Sequence, residues 1–255
     1  MLTADLHLHS TFSIDGCNTL QEMTDAAWRA GLRTLCFTEH VDHNPRDTGY
    51  GFYDYEAYRE AVLQVKEAYE GRIEVLWGIE FSEPHLYPAE LEREQQRGYD
   101  MIIGSQHFLG KWFFGEREML EQWPREEVFS RYYEELCAMA DHGGFDVMGH
   151  IGFPCRYIGD HPMPEDVARV LAAKMVKSGI LPEINTSGFR KGYPKTLPDE
   201  PFLRIWRDLS CGSVTAGSDA HRIGEPGNGL EQAEDAVRML GLEPVVFRSR
   251  KAVRL

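Results

Sequence analysis

Asp5-Leu6-His7-Leu8-His9 is an apolar strand that ends in two imidazoles. Six further runs end in a similar way: Thr38-Glu39-His40, Gly78-Ile79-Glu80, Ser105-Gln106-His107, Met148-Gly149-His150, Glu183-Ile184-Asn185 and Ser218-Asp219-Ala220-His221. A buried strand gains nothing structural from an ionisable group at its tip, because a desolvated charge costs stability unless something pairs with it. Seven such tips gathered by one barrel would form a polynuclear metal site.

Between the tips, strand and helix signals alternate. Thr19-Leu20-Gln21-Glu22 has capping-box spacing and opens a helix with Leu20, Met23, Ala27 and Ala30 on its apolar face. Further helices are expected from Tyr55 to Glu70, Pro88 to Arg97, Pro124 to Asp141, Pro164 to Gly179, Phe202 to Leu209 and Leu230 to Leu240. A short strand from Pro244 to Phe247 closes the chain. This alternation implies parallel pairing, in a barrel or a doubly wound sheet. No GxGxxG follows the first strand, and no Walker lysine motif occurs. In a parallel barrel the C-terminal strand ends share one rim, where an active site is built. Every ionisable tip lies at that end, so a barrel is the expected fold.

The 255 residues, 42% of them hydrophobic, suffice for one α/β domain spanning 1–255, with no linker-like tract. No apolar stretch approaches the ~20 residues of a membrane helix, and no leader precedes the first strand. Five scattered cysteines without CxxC spacing point to free thiols in a reducing cytoplasm. The formal net charge of −14 argues against a nucleic-acid partner and allows a small anionic substrate held by cations.

His7 and His9 stand two apart on a strand, so both face the same way. Asp219 and His221 repeat the spacing with an acid and a base. Imidazole and carboxylate donors without thiolate suit Zn, Mn or Fe. His85, His142 and His161 read as surface or capping residues, and His43 carries both readings. Glu39 points away from its neighbour His40 and suits an orienting role as well as a ligand role. Phe108, Trp112, Phe113 and Phe114 form an apolar cluster that either packs over the barrel mouth or acts as a lid.

Taken in order, Asp5-Leu6-His7-Leu8-His9-Ser10, Phe37-Thr38-Glu39-His40, Gly78-Ile79-Glu80, His107, Gly149-His150 and Ser218-Asp219-Ala220-His221 resemble the PHP (polymerase and histidinol phosphatase) superfamily. Gly104-Ser105-Gln106-His107-Phe108 and the run from Glu183 to Lys191 are similar to its monofunctional histidinol-phosphatase branch. The resemblance implies a distorted (β/α)7 TIM-like barrel with the active site at the C-terminal strand ends and three divalent metal ions. One ion would take His7, His9, Glu80 and Asp219; a second would take Glu80 as a bridge, with His107 and His150. Asp15, His40 and His221 would hold the third. Paired cations activate water and neutralise phosphoryl charge.

Glu80, Asp219 and His221 are thereby the catalytic candidates, with the third metal ion, Asp42 or His43 to stabilise or protonate the leaving oxygen. Arg156, Arg190 and Ser105 are the candidates for binding phosphate, a guanidinium fork matching its geometry. Asp42, Glu83 or Glu116 would pair with an amine on the substrate. The implied activity is hydrolysis of L-histidinol phosphate in histidine biosynthesis. A PHP phosphoesterase acting on another small phosphate ester or a nucleotide end is the nearest alternative, and a metal-free PHP-like binding domain is the third.

Overall fold

The computed structural model describes residues 2–255. Its strands are β1 (Ala4–Leu8), β2 (Thr34–Val41), β3 (Glu74–Ser82), β4 (Met101–Ser105), the short pair β5 (Phe108–Leu109) and β6 (Trp112–Phe113), β7 (Val147–Met148), β8 (Leu181–Asn185), β9 (Ser213–Gly217), β10 (Glu243–Arg248) and β11 (Lys251–Arg254). The helices are α1 (Leu20–Arg29), α2 (Tyr55–Ala68), α3 (Pro88–Gln95), α4 (Arg117–Gln122), α5 (Arg125–His142), α6 (Cys155–Ile158), α7 (Glu165–Ser178), α8 (Ser187–Arg190), α9 (Glu200–Leu209) and α10 (Leu230–Leu240).

The longer helices start where the sequence supplies caps. Thr19 Oγ1 accepts from the Glu22 N–H at 3.2 Å, and Glu22 Oε2 accepts from the Thr19 N–H at 2.9 Å, closing the capping box of α1. Asp54 and Asp199 accept from the first turns of α2 and α9. The helices bury their apolar faces against the outside of the sheet, where Phe37, Phe81, Tyr58, Phe129 and Trp206 are wholly enclosed.

Strands β1, β2, β3, β4, β7, β8 and β9 pair in that order, all in parallel. At the rim β9 returns to β1: Asp219 N–H donates to His7 O and His9 N–H donates to Ala220 O, each at 2.8 Å. Seven parallel strands thus close as an α/β barrel. The barrel is distorted because the N-terminal half of β9 pairs with β10 instead.

A bulge in β1 decides where the first histidines point. Ala4 pairs with Thr34 and Asp5 with Leu35, but the next register partner of Phe37 is Leu8, one residue late. Strict alternation would send Leu6 and His7 to opposite faces. With the extra residue, Ala4 and Leu6 fill the barrel interior beside Cys36, Leu76, Met101 and Ile103, while His7 also turns inward above them.

The barrel base is plugged by β10, whose Val245, Val246 and Phe247 join that interior cluster. The β10–β11 hairpin, unexpected from the sequence beyond its first strand, is tied to neighbouring strands by polar contacts. Arg248 forks onto Glu74 at 2.7 Å, Ser249 N–H reaches Asp100 Oδ1 at 3.0 Å, and Arg250 pairs with Asp146. Asp146 also accepts the Ile102 N–H at 2.8 Å. Asp146→Ala removes both partners and leaves a buried N–H unpaired, a loss of about 2–3 kcal/mol. The expected result is a Tm lower by about 4–12 °C with kcat unchanged at 25 °C, read by calorimetry and turnover on the same sample.

Candidate metal centre

The rim converges on Glu80, at the end of β3, whose side chain is 1% exposed. Its Oε1 lies 2.7 Å from His150 Nε2 and 3.2 Å from His107 Nε2. Its Oε2 lies 3.2 Å from His7 Nε2, 3.5 Å from His9 Nε2 and 3.2 Å from His40 Nδ1. Asp219 Oδ1 faces the same imidazoles from β9, 4.0 Å from His7, 3.7 Å from His9 and 3.5 Å from His221 Nδ1. Asp15 enters from the loop after β1, 3.2 Å from His221 Nε2 and 3.6 Å from His40 Nε2. His9 is stacked between His40 and His221, with ring centroids 4.3 and 4.1 Å away. All nine ligand candidates therefore meet in one place.

The charged groups of this cluster are strongly coupled. Burial pushes the Glu80 carboxyl up, but the imidazoles of His7, His40 and His107 together hold it well below the usual carboxylate range. Asp219 is likewise held low despite burial, by Arg156, His7 and His221. The histidines divide. Burial and the neighbouring His221 and His40 drive His9 well below its ordinary value, and burial takes His150 down to about 4. His7 rises well above its ordinary value and His40 rises to about 9: burial opposes both, but Glu183, Glu80 and Asp219 outweigh it at His7, and Glu80, Asp42 and Asp15 at His40. Like charges this close cannot all be present together.

Donor atoms of His9, His40 and His221 lie within 4.8 Å of one another, as do those of His7, Glu80 and His150, of His7, His9 and Asp219, and of His40, Asp42 and His107. Among the described residues, buried His9 Nε2, His40 Nδ1 and His221 Nε2 make no well-directed hydrogen bond, although carboxylate oxygens face them at 3.5, 3.2 and 3.2 Å. Orphaned imidazole nitrogens facing carboxylates are the donor chemistry of Zn, Mn or Fe, so the residues fit such ions.

Above the cluster is a cavity of about 310 Å³. Asp42, Glu116, Arg156 and Lys191 line it, together with Phe108, Phe113, Phe153 and Tyr157. The apolar run after His107 is the β5–β6 hairpin, which presents Phe108 and Phe113 to the cavity while Phe114 is fully buried against Tyr132. Phe153 packs on His107 and His150, centroids 4.9 and 4.8 Å away.

The residues expected to serve substrate are placed unequally. Arg156 lines the cavity and donates through Nη2 to Asp219 Oδ2 at 2.9 Å and Asn185 Oδ1 at 3.0 Å. Arg190 does not line it, because its Nη2 is engaged by the carbonyls of Ser218 and Asp219 at 2.7 and 2.9 Å. Ser105 is fully buried at the tip of β4 and also stays out of the lining. Asp42 lines the cavity, accepts from Ser82 Oγ at 2.6 Å, and has its carboxyl raised by burial. His43 packs instead against Phe81 and Tyr87 and is lowered by burial. Glu83 is turned from the cavity to accept the His107 and Phe108 N–H groups, and burial pushes it up to about 7. Glu116 reaches the lining. Away from the centre, His85 pairs with Glu135 at 2.6 Å and His161 stacks on Phe129.

Three contacts behind the cluster had no assigned role in the sequence reading. Glu183 Oε1 accepts from His7 Nδ1–H at 2.7 Å, Ser13 Oγ from His9 Nδ1–H at 3.0 Å, and Ser82 Oγ from His107 Nδ1–H at 3.1 Å. Each leaves Nε2 free to face Glu80. Glu39 supports one of them, accepting from Ser13 Oγ at 2.6 Å. Only Glu183 carried a visible signal, as the acid of a strand tip.

A family model described as "PHP domain" matches residues 5–187. The chain belongs to the PHP domain family. PHP relatives align end to end. A Deinococcus radiodurans protein named "Probable histidinol-phosphatase" is 30% identical over 264 residues, covering 97% of each chain. A Thermotoga maritima protein of the same name is 25% identical over 252 residues, covering 98% of this chain and 97% of its own. In fold, the PHP barrel is similar to histidinol phosphate phosphatase from Lactococcus lactis, solved with zinc, L-histidinol and phosphate: TM-score 0.90, 20% identity, 100% of both chains covered.

Zinc added to chelator-stripped protein, free ion at a hundred times Kd, should stabilise the fold by about 2.7 kcal/mol, raising Tm by about 5–10 °C. EDTA should reverse the shift. An unchanged melting curve would exclude a metal centre at this rim.

Proposed function

We propose that this chain is a metal-dependent phosphomonoesterase that hydrolyses L-histidinol phosphate to L-histidinol and phosphate. The observation carrying the chemistry is the buried Glu80 carboxylate ringed by five imidazoles beneath an open cavity. Full-length likeness to curated histidinol-phosphatases supports the substrate.

His7, His9, Glu80 and Asp219 would hold one ion, Glu80 with His107 and His150 a second, and Asp15, His40 and His221 a third. Zinc is the first candidate, because the similar Lactococcus lactis structure contains it. Bound divalent cations supply charge neutralisation at the phosphoryl oxygens and lower the pKa of water. Arg156, with Nη2 engaged by Asp219, turns the rest of its guanidinium to the phosphate, and Lys191 adds a second positive charge. Asp42 is the proton donor to the leaving oxygen: it lines the cavity and burial favours its protonated form, whereas His43 faces neither. Phe113, Phe153 and Tyr157 exclude water from the other wall, and Glu116 is the acid placed to pair with the substrate's amine. Residues 1–255 act as one barrel domain. Five free cysteines suit work in the cytoplasm, and no helix among the described residues is long and apolar enough to cross a membrane.

Phosphate release from L-histidinol phosphate, run against a panel of small phosphate esters, tests the substrate. Glu80→Ala and Asp219→Ala should each lower kcat/KM more than about a hundred-fold, while His142→Ala at the exposed end of α5 leaves it unchanged. Intact histidinol phosphate alongside rapid hydrolysis of another ester would reassign the substrate. Near-normal turnover in the Glu80 variant would reassign the site.

A further inference from the structure

We propose that Glu183 is a positioning residue of the metal centre, orienting His7 through its ring and His150 through its backbone. This inference rests on the proposed metal site. Glu183 lies on β8, the strand whose tip offers no ligand candidate, and its side chain is 1% exposed. A carboxylate so deeply buried requires partners for its oxygens. Oε1 accepts from His7 Nδ1–H at 2.7 Å. Oε2 accepts from the His150 N–H at 2.9 Å and from Asn185 Nδ2 at 3.0 Å. Among the described residues, its ion-pair partner is His7.

Two features separate Glu183 from a buried acid that is merely satisfied. His150 holds a left-handed backbone, φ 27°, which an L residue adopts only when its surroundings enforce it. Glu183 holds the N–H of that strained residue, so one carboxylate fixes two ligand candidates on separate strands. Space is the second feature. A Cβ built at Gly217 would lie 2.3 Å from Glu183 Oε1 and 2.4 Å from His7 Cβ, so β9 has glycine where the pair presses against it.

The partner of each ring also differs in kind. His9 and His107 give their Nδ1–H to the hydroxyls of Ser13 and Ser82, and His221 to the Asp219 carbonyl. His7 gives its own to a carboxylate. An acid behind a ligating imidazole fixes the tautomer and strengthens the opposite nitrogen as a donor. His7 therefore binds its cation more strongly than the hydroxyl-backed His9 beside it.

The test compares wild type, Glu183→Gln and Glu183→Asp as zinc-loaded proteins. Zinc affinity is read by competition with a chromophoric chelator, tautomer by histidine side-chain ¹⁵N NMR, and kcat separately from KM on histidinol phosphate. Glu183→Gln should lose about 10–100-fold in affinity for one zinc, move the His7 Nδ1–H signal, and lower kcat with KM nearly unchanged. Glu183→Asp, which keeps the charge, should recover part of the affinity. Affinity within twofold of wild type and an unmoved His7 signal would overturn the proposal. If the Gln variant does not fold, the Asp variant carries the measurement: weaker zinc binding than wild type supports the role, and equal binding overturns it. Wild-type protein that binds no zinc would sink the metal site itself, which separates that failure from failure at Glu183.

Discussion

Everything at the rim answers to the Glu80 carboxylate. Burying an ion costs several kcal/mol even after relaxation, and the cost is recovered only by opposite charge at close range. Glu80 finds it on five histidines drawn from β1, β2 and the ends of β4 and β7. Protons cannot supply that charge uniformly. His7 and His40 are favoured as cations, but His9 is disfavoured by burial and by His221 and His40, and His150 by burial, Arg156 and His107. Divalent ions would resolve the conflict, bringing two charges each to neutral imidazoles and displacing the protons.

Holding that many candidate donors in one place needs a backbone that departs from regularity, and three of the five non-glycine residues with positive φ among the described residues lie at the rim. Glu83, His150 and Asp219 each take a left-handed conformation just beyond a strand end. Such residues cost of order 1–3 kcal/mol and persist only where packing overdetermines them. Here Asp219 N–H is held by His7 O, Glu83 N–H by Ser105 O and His150 N–H by Glu183. The β1 bulge belongs to the same set, since it turns His7 inward without exposing Leu6. The opposite end of the barrel is plugged by the apolar residues of β10 and tied by the Arg248 and Arg250 ion pairs, so the rim can carry strain without loosening the fold.

Ligand chemistry was legible because it is written twice, in residue type and in position at a strand end. Barrel class followed from the same tips, since only a closed parallel sheet brings all of them together. What escaped the sequence depends on contacts between distant segments. Asp5-Leu6-His7-Leu8-His9 reads identically with and without a bulge. Ser13 and Ser82 are ordinary residues until a histidine Nδ1 is found behind each. Arg190 was nominated for its phosphate-matching guanidinium and His43 for its place in the loop after β2, and packing turned both aside. The β5–β6 hairpin did leave a signal: Gly110-Lys111 is the Gly-x pair of a two-residue turn, and Gly110 has φ 63°.

Arg156 shows why a structural role and a substrate role need not compete. Without cations the cavity floor carries Glu80 and Asp219, both held in the anionic form, with Asp15 beside them. A phosphate dianion would be repelled there, and Arg156 would be drawn wholly onto Asp219, its partner at 2.9 Å. Cations bound beside Asp219 would neutralise it, and the same guanidinium would keep its hold on Asn185 with its field no longer cancelled. On this reading the sign of the cavity would follow metal occupancy, in a chain whose formal net charge is −14. If Asp219 holds a cation and Arg156 the phosphate, their ion pair links the two affinities, and a change at Asp219 would alter both.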